Sequence, residues 1–273
     1  MRLASTFRRP RAPTVPTAVL AALTTAALLP PDAAAQVVIT QRPTDPFIAF
    51  EGEGNAQITN PTATTGTISF ATMADAAASG GAVLYAVPNN FPANMQLVAG
   101  DPNAATATYT MSFSQAGIYS LYYRWKADPA VAVTTEANSI WIPASFGGPP
   151  IVRSATNGVV VPASTVFNAV IEDGTQSNNT PPIVPDFTVT AANVGIPLSF
   201  TIQTREGGTE LDRFIFSTQP IDVTNGSTVA FDAIPNSPVT QVPEPGSAGL
   251  VLLAGVAGFA ARRRAGHGAP AAA

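Results

Sequence analysis

Four segments alternate apolar and polar side chains with a period of two, and nothing else in the chain constrains its fold as much. In "ATATYTMSF" (105–113), Ala107, Tyr109, Met111 and Phe113 fall on one side and Thr106, Thr108, Thr110 and Ser112 on the other. "IYSLYYRW" (118–125) puts Tyr119, Leu121, Tyr123 and Trp125 on one face, "PLSFTIQT" (197–204) does so with Leu198, Phe200 and Ile202, and "TELDRFIF" (209–216) with Phe214 and Phe216. A strand sends successive side chains to opposite faces, so this pattern reads as half-buried β-strands. The short turns at Gln115–Gly117 and Gly207–Gly208 predict that each neighbouring pair closes as a hairpin. Shorter strand candidates are 47–50, 56–59, 66–71, 82–87, 138–142 and 165–171, separated by Gly, Pro and Asn. The expected class is all-β, a β-sandwich of jelly-roll type. Residues 172–185 read as a polar surface loop. Beyond Ser217 the alternation fades, which predicts a domain over 36–218 and a flexible stalk over 219–241.

Both ends depart from this pattern. Arg2, Arg8, Arg9 and Arg11 precede an apolar run from Ala18 to Leu29, and Ala33–Ala35 supply small residues after two prolines. This predicts a helical signal peptide over 1–35, cut after Ala35. The run is too short to span a bilayer, which takes about 20 apolar residues. Seven of the 13 Lys and Arg residues lie in the two ends, leaving six against 15 acidic residues between 36 and 241, a net charge of −9. Such a surface excludes a nucleic-acid partner and does not favour anionic lipid, since both need clustered cations. The chain has no cysteine, so a hydrophobic core has to stabilise it without disulfides. Its one histidine, His267, lies in the tail, which removes His-based triads and His-ligated zinc from the domain.

Near the C-terminus, Pro243-Glu244-Pro245 precede a 16-residue apolar run at 246–261 and then Arg262, Arg263 and Arg264. Prolines stop regular structure, a run this short is marginal for spanning, and arginines stay on the cytoplasmic side. In order, spacing and position the stretch 242–264 resembles the PEP-CTERM sorting signal of Gram-negative bacteria, with residues 265–273 as a short tail. The resemblance implies a transmembrane sorting helix at 246–261, transient anchorage in the inner membrane and cleavage by an exosortase-type membrane protease. The product would reach the cell surface or the extracellular polysaccharide matrix. A plain C-terminal anchor is the alternative, and it leaves Pro-Glu-Pro unexplained.

The middle carries a second resemblance. Glu51 and Glu53 in "FEGEGN", then Gly117, Tyr119, Leu121 and Arg124, then Arg205, Glu206, Gly208, Leu211, Asp212 and Arg213 follow the order seen in galactose-binding-like jelly rolls. Within these, residues 45–218 are similar to the family 6 and family 35 carbohydrate-binding modules. The resemblance implies a structural calcium ion (Ca2+) held by Glu51, Glu53 and Asp212. The residues agree in part: two glutamates two apart on a strand share a face and repel unless a cation or donor lies between them, and carboxylate oxygens suit calcium. Two solvated glutamates before a glycine turn are the alternative. The resemblance also implies an aromatic ring stacked on a sugar, for which Tyr85, Trp125 and Trp141 are the candidates; core packing is the alternative for Trp125 and Trp141.

Paired carboxylates also serve glycosidases, but Arg205–Glu206 and Asp212–Arg213 read as hairpin-end ion pairs, and the chain has no nucleophile elbow or phosphate loop. The expected function is an exported, non-enzymatic domain that associates with exopolysaccharide. A structural protein without a specific ligand, or a glycan-active enzyme, are the alternatives.

Overall fold

The computed structural model describes residues 36–90, 96–128, 139–155, 166–172 and 183–242. The expected signal peptide, Pro243-Glu244-Pro245, the sorting helix, the arginines at 262–264 and the tail lie outside the described residues. Within them no helix is long and apolar enough to cross a membrane.

In chain order the strands are β1 (Gln36–Thr40), β2 (Phe47–Glu51), β3 (Gln57–Thr59), β4 (Thr67–Ala74), β5 (Ala82–Asn89), β6 (Thr106–Ser112) and β7 (Gly117–Ala127). They continue with β8 (Ser139–Pro143), β9 (Pro150–Ala155), β10 (Asn168–Glu172), β11 (Phe187–Val189), β12 (Pro197–Thr204), β13 (Thr209–Ser217) and β14 (Val239–Val242). One short helix, α1 (Val229–Asp232), interrupts the last connection. The first sheet runs β14-β1-β6-β12-β8-β9, with β3 also on β6. The second runs β10-β7-β13-β5-β4, with β11 also on β7 and β2 on β13. The described residues form a two-sheet β-sandwich.

The alternating segments are strands, and their predicted faces are correct. Ala107, Tyr109, Met111, Phe113, Phe200, Ile202, Phe214 and Phe216 are fully buried. Aromatic rings fill the space between the sheets: Phe216 lies 5.0 Å from both Phe187 and Phe200 and 5.2 Å from Phe146. Such contacts add about 0.5–1.5 kcal/mol each beyond burial.

The expected hairpins do not form. β6 and β7 lie in different sheets, as do β12 and β13. Their short connections cross the sandwich, so residues of facing sheets meet across the core: the Tyr109 and Phe214 rings lie 5.7 Å apart, tilted by 53°. Each strand finds its partner far along the chain: β6 pairs antiparallel with β12, and β7 with β13. Period-two alternation assigns faces and says nothing about which strand lies alongside. Hairpins form instead at β4–β5 and β8–β9.

The expected stalk is also corrected. The outer face of the second sheet is apolar at Ala49, Tyr122, Ala169 and Ile215, and the segment after β13 covers it with Ile221, Val223, Phe231 and Ile234. Phe231 is fully buried. The Arg213 guanidinium donates to the carbonyls of Phe231, at 3.3 Å, and of Ile234. The compact unit therefore runs Val37–Val242 instead of ending at 218.

Candidate functional site

The centre forms where β2 meets a bulge in β13. Leu211 pairs with Trp125, and Arg213 with Arg124, so Asp212 is one residue too many for its partner strand. A bulge of this kind turns its extra side chain out of the regular alternation, and Asp212 is fully buried. Next to it, β2 ends at Glu51, and the Gly52 N–H donates to the Asp212 carbonyl at 2.6 Å. A Cβ at Gly52 would lie 2.6 Å from the Leu211 carbonyl oxygen, so only glycine permits this approach.

The β4–β5 turn completes the site. The Ser79 backbone N–H donates to Asp212 Oδ1 at 3.0 Å, and the Ser79 hydroxyl lies 2.6 Å from Glu51 Oε2 and 3.1 Å from Asp212 Oδ1. At Gly80 an added Cβ would stand 2.9 Å from Glu53 Oε1 and 3.4 Å from Glu51 Cγ, so both glutamates converge on that backbone position. The structure thus brings Glu51, Glu53 and Asp212 together, as the resemblance implied, although β2 ends at Glu51 and Glu53 lies in the bend beyond it, not on a shared strand face.

Their partners were not foreseen. Arg124 Nη1 pairs with Asp212 Oδ2 at 2.5 Å, replacing the expected Asp212–Arg213 pair. Arg213 stands instead 3.9 Å from Glu51. Asn236, from the segment expected to be a stalk, donates to Glu51 Oε1 at 2.6 Å. The expected Arg205–Glu206 pair is present. Ser79 and Asn236 lie far from the glutamates in sequence and carry no motif. Arg124 stands in the Gly-x-Tyr-x-Leu pattern, which is the one signal that pointed to it.

Glu53 differs from its neighbours. Its Oε2 is buried with no hydrogen-bond partner among the described residues. Burial, and then the charges of Glu51 and Asp212, push its carboxyl up to about 7. Burial also raises Asp212, against the opposing pull of Arg124.

As calcium ligands these groups fit in chemistry: three carboxylates converge, and one has an orphaned oxygen. Their arrangement fits less well. Among the described residues no group of three or more acidic or histidine side chains takes the spacing of a metal site. Asp212 is engaged by Arg124, and Glu51 by Ser79 and Asn236. A cation would have to displace some of these donors.

The aromatic candidates do not share a surface. Trp125 is 2% exposed and belongs to the core, because β7 turns Tyr119, Leu121, Tyr123 and Trp125 inward together. Trp125 therefore takes the core-packing alternative and is not available as the stacking ring. Tyr85 lies half-buried on the outer face of the second sheet, where its hydroxyl donates to Asp128 at 2.9 Å. Trp141 lies half-buried between the inward Ile140 and Ile142, on the outer side of the first sheet. Its Nε1 donates to the Leu97 carbonyl at 2.8 Å, and the Arg205 guanidinium stands 5.6 Å from its ring. Tyr85 and Trp141 occupy opposite faces of the sandwich and cannot stack on one sugar ring.

Residues 241–264 match the family model of the PEP-CTERM protein-sorting motif. The chain carries this motif, which implies export, transient membrane anchoring and processing by an exosortase-type membrane protease. No curated protein matches the chain. Solved structures similar to it include a GH26-CBM35 β-(1,4)-mannanase of Podospora anserina, at 13% identity and TM-score 0.37, covering 66% of this chain and 29% of that one. An isomalto-dextranase of Arthrobacter globiformis T6, solved with panose, is 11% identical with TM-score 0.37, covering 63% of this chain and 23% of that one. A family 35 carbohydrate binding module of Clostridium thermocellum is 15% identical with TM-score 0.33, covering 62% of this chain and 96% of that one. The chain spans less than a third of the first two proteins.

Proposed function

We propose that this chain is delivered to the cell surface or extracellular matrix as a non-catalytic jelly-roll domain that associates with carbohydrate. The observation that carries the reading is the sorting motif at 241–264, which begins within the last strand of a Cys-free, acidic β-sandwich. In this reading Pro243, Glu244 and Pro245 are the recognised segment, and Arg262–Arg264 hold the tail on the cytoplasmic side until cleavage.

The carboxylate centre is a structural element here. Glu51 and Asp212 are each engaged by neutral or cationic donors, which supports a structural role for this pair over the free acid and base of glycoside hydrolysis. Calcium, when bound, would neutralise the three carboxylates, with Glu53 as the ligand that has no competing hydrogen bond at Oε2. Of the aromatic candidates, Trp141 beside Arg205 offers the sugar contact: a partly exposed ring flanked by a cation.

The sorting arm is tested in a host that carries an exosortase-type protease. The full chain should lose its tail and leave the membrane fraction. The triple substitution of Pro243, Glu244 and Pro245 to alanine should stay full-length in the membrane. Equal release of both proteins overturns the assignment. The carbohydrate arm is tested by electrophoresis of the processed protein through gels containing exopolysaccharide. Retardation that Trp141→Ala removes supports it, and free migration of the wild type sinks it. The calcium arm is a thermal melt: a rise in Tm with calcium, reversed by chelator and absent in Glu53→Gln, is expected, and an unchanged Tm refutes it.

A further inference from the structure

On the outer face of the second sheet, beside the carboxylate centre and sharing the β4–β5 turn and the Phe167 ring with it, a lysine sits between two acidic side chains. Lys126 on β7 and Glu210 on β13 are direct cross-strand neighbours. The Lys126 ammonium is in contact with Asp75, at the start of the β4–β5 turn, and stands 3.3 Å from Glu210 Oε2. All three side chains are largely withdrawn from water: Lys126 is 13% exposed, Asp75 14% and Glu210 4%. The Phe167 ring covers the group, 4.8 Å from Lys126 Nζ. Glu210 Oε2 has this charge contact and no hydrogen bond.

An amine held against a carboxyl beside a second, buried carboxylate, under an aromatic ring, is the set of groups that amide formation needs. We propose that Lys126 and Asp75 condense into an intramolecular isopeptide bond, with Glu210 as the proton relay. The contact begins as an ion pair: the Lys126 hydrogen bond holds the Asp75 carboxyl below its usual range, and although burial opposes the Lys126 charge, Asp75 and Glu210 keep the amine above its usual range. Proton transfer within the contact gives the neutral amine and the carboxylic acid. The Nζ lone pair then attacks Asp75 Cγ and forms the C–N bond. Glu210 takes a proton from the nitrogen and delivers it to the departing hydroxyl, the C–O bond breaks, and one water leaves. Nothing is oxidised or reduced, and no co-reactant is needed. The fold supplies the driving advantage by holding the two groups together, where effective concentrations of about 10⁵ M and above are known for well-oriented pairs. The product ties the β4–β5 turn to β7, on the far side of the central strand β13. In an exported chain with no cysteine it takes the place a disulfide would have.

The test is mass spectrometry of the purified full chain. The wild type should be lighter than its sequence by one water. Trypsin should fail to cleave after Lys126, because an acylated lysine is not a substrate, and should yield the peptide ending at Arg124 joined through Asp75 to the one beginning at Trp125. Lys126→Arg, Asp75→Ala and Glu210→Gln should each have full mass, with folding checked by circular dichroism. Glu210→Gln keeps the size of the side chain, so its folded, uncrosslinked form separates chemistry from misfolding. A wild-type chain of full mass with normal cleavage after Lys126 overturns the bond. Loss of water at any other pair of residues also overturns it, and an unimpaired bond in Glu210→Gln overturns the relay.

Discussion

A single hydrogen atom at Gly52 lets β2 close on the bulge of β13. In Gly52→Ala the new methyl group would meet the Leu211 carbonyl at 2.6 Å, a contact that backbone cannot yield cheaply. A loss of about 1–3 kcal/mol is expected from forced overpacking, read as a lower urea midpoint. Glu53 gives a prediction whose sign depends on pH. Its folded carboxyl titrates near 7 against an ordinary value of 4.5. The native state therefore holds this proton more tightly than the unfolded chain does. The stability it contributes is whole below about pH 4.5, falls as pH rises to about 7, and is gone above that. Glu53→Gln removes the titration, so the variant should exceed the wild type by about 1–2 kcal/mol at pH 8, after discounting for solvent screening, and match it near pH 4. Urea unfolding at the two pH values, with chelator present, measures this; equal gains at both would refute the burial argument. At this scale the convergence of Glu51, Glu53 and Asp212 was legible only through the family resemblance; strand spacing alone did not carry it, since β2 ends at Glu51 and Glu53 falls in the following bend. Ser79 and Asn236 were not, because a serine in a turn and an asparagine in a tail carry no periodicity, and only tertiary contact gives them a role.

Among the elements, strands were legible and their partners were not. The alternation in β6, β7, β12 and β13 marks the buried faces correctly, because burial on one side is what produces it. Edge-to-edge pairing leaves no such mark. A short turn serves equally to reverse a strand within one sheet or to carry it to the facing sheet, and the turns after β6 and β12 do the latter. The segment from 219 to 238 was misread for a related reason. It docks through single apolar residues, Ile221, Val223, Phe231 and Ile234, without a repeating period. Its signal lies on the surface it covers: Tyr122 and Ile215 are large apolar residues on the side of their strands opposite the core. Phe231→Ala should cost about 3–5 kcal/mol, the usual result of emptying a buried aromatic site. Its unfolding should remain a single transition if this segment belongs to the cooperative unit. A separate early transition would make it an appendage.

For the whole molecule, the β14 edge sets how the domain responds to load on its tail. All four side chains of β14 are exposed, so its pairing with β1 rests chiefly on backbone hydrogen bonds. Immediately before it, Thr40 donates to Pro238 at 2.8 Å, while Ser237 is bonded to Ala49 through both its N–H, at 2.8 Å, and its hydroxyl, at 3.0 Å. Force applied from Pro243 should peel β14 one bond at a time, lengthening the tether by about 13 Å at roughly 3.3 Å per residue. It should then stop at Ser237 and the buried Phe231. Single-molecule pulling from the C-terminus should show a weak first step before the main rupture, and Ser237→Ala should bring the two closer in force. A protein hung from its tail would thus carry a short, reversible slack, a mechanical fuse that yields before the sandwich does.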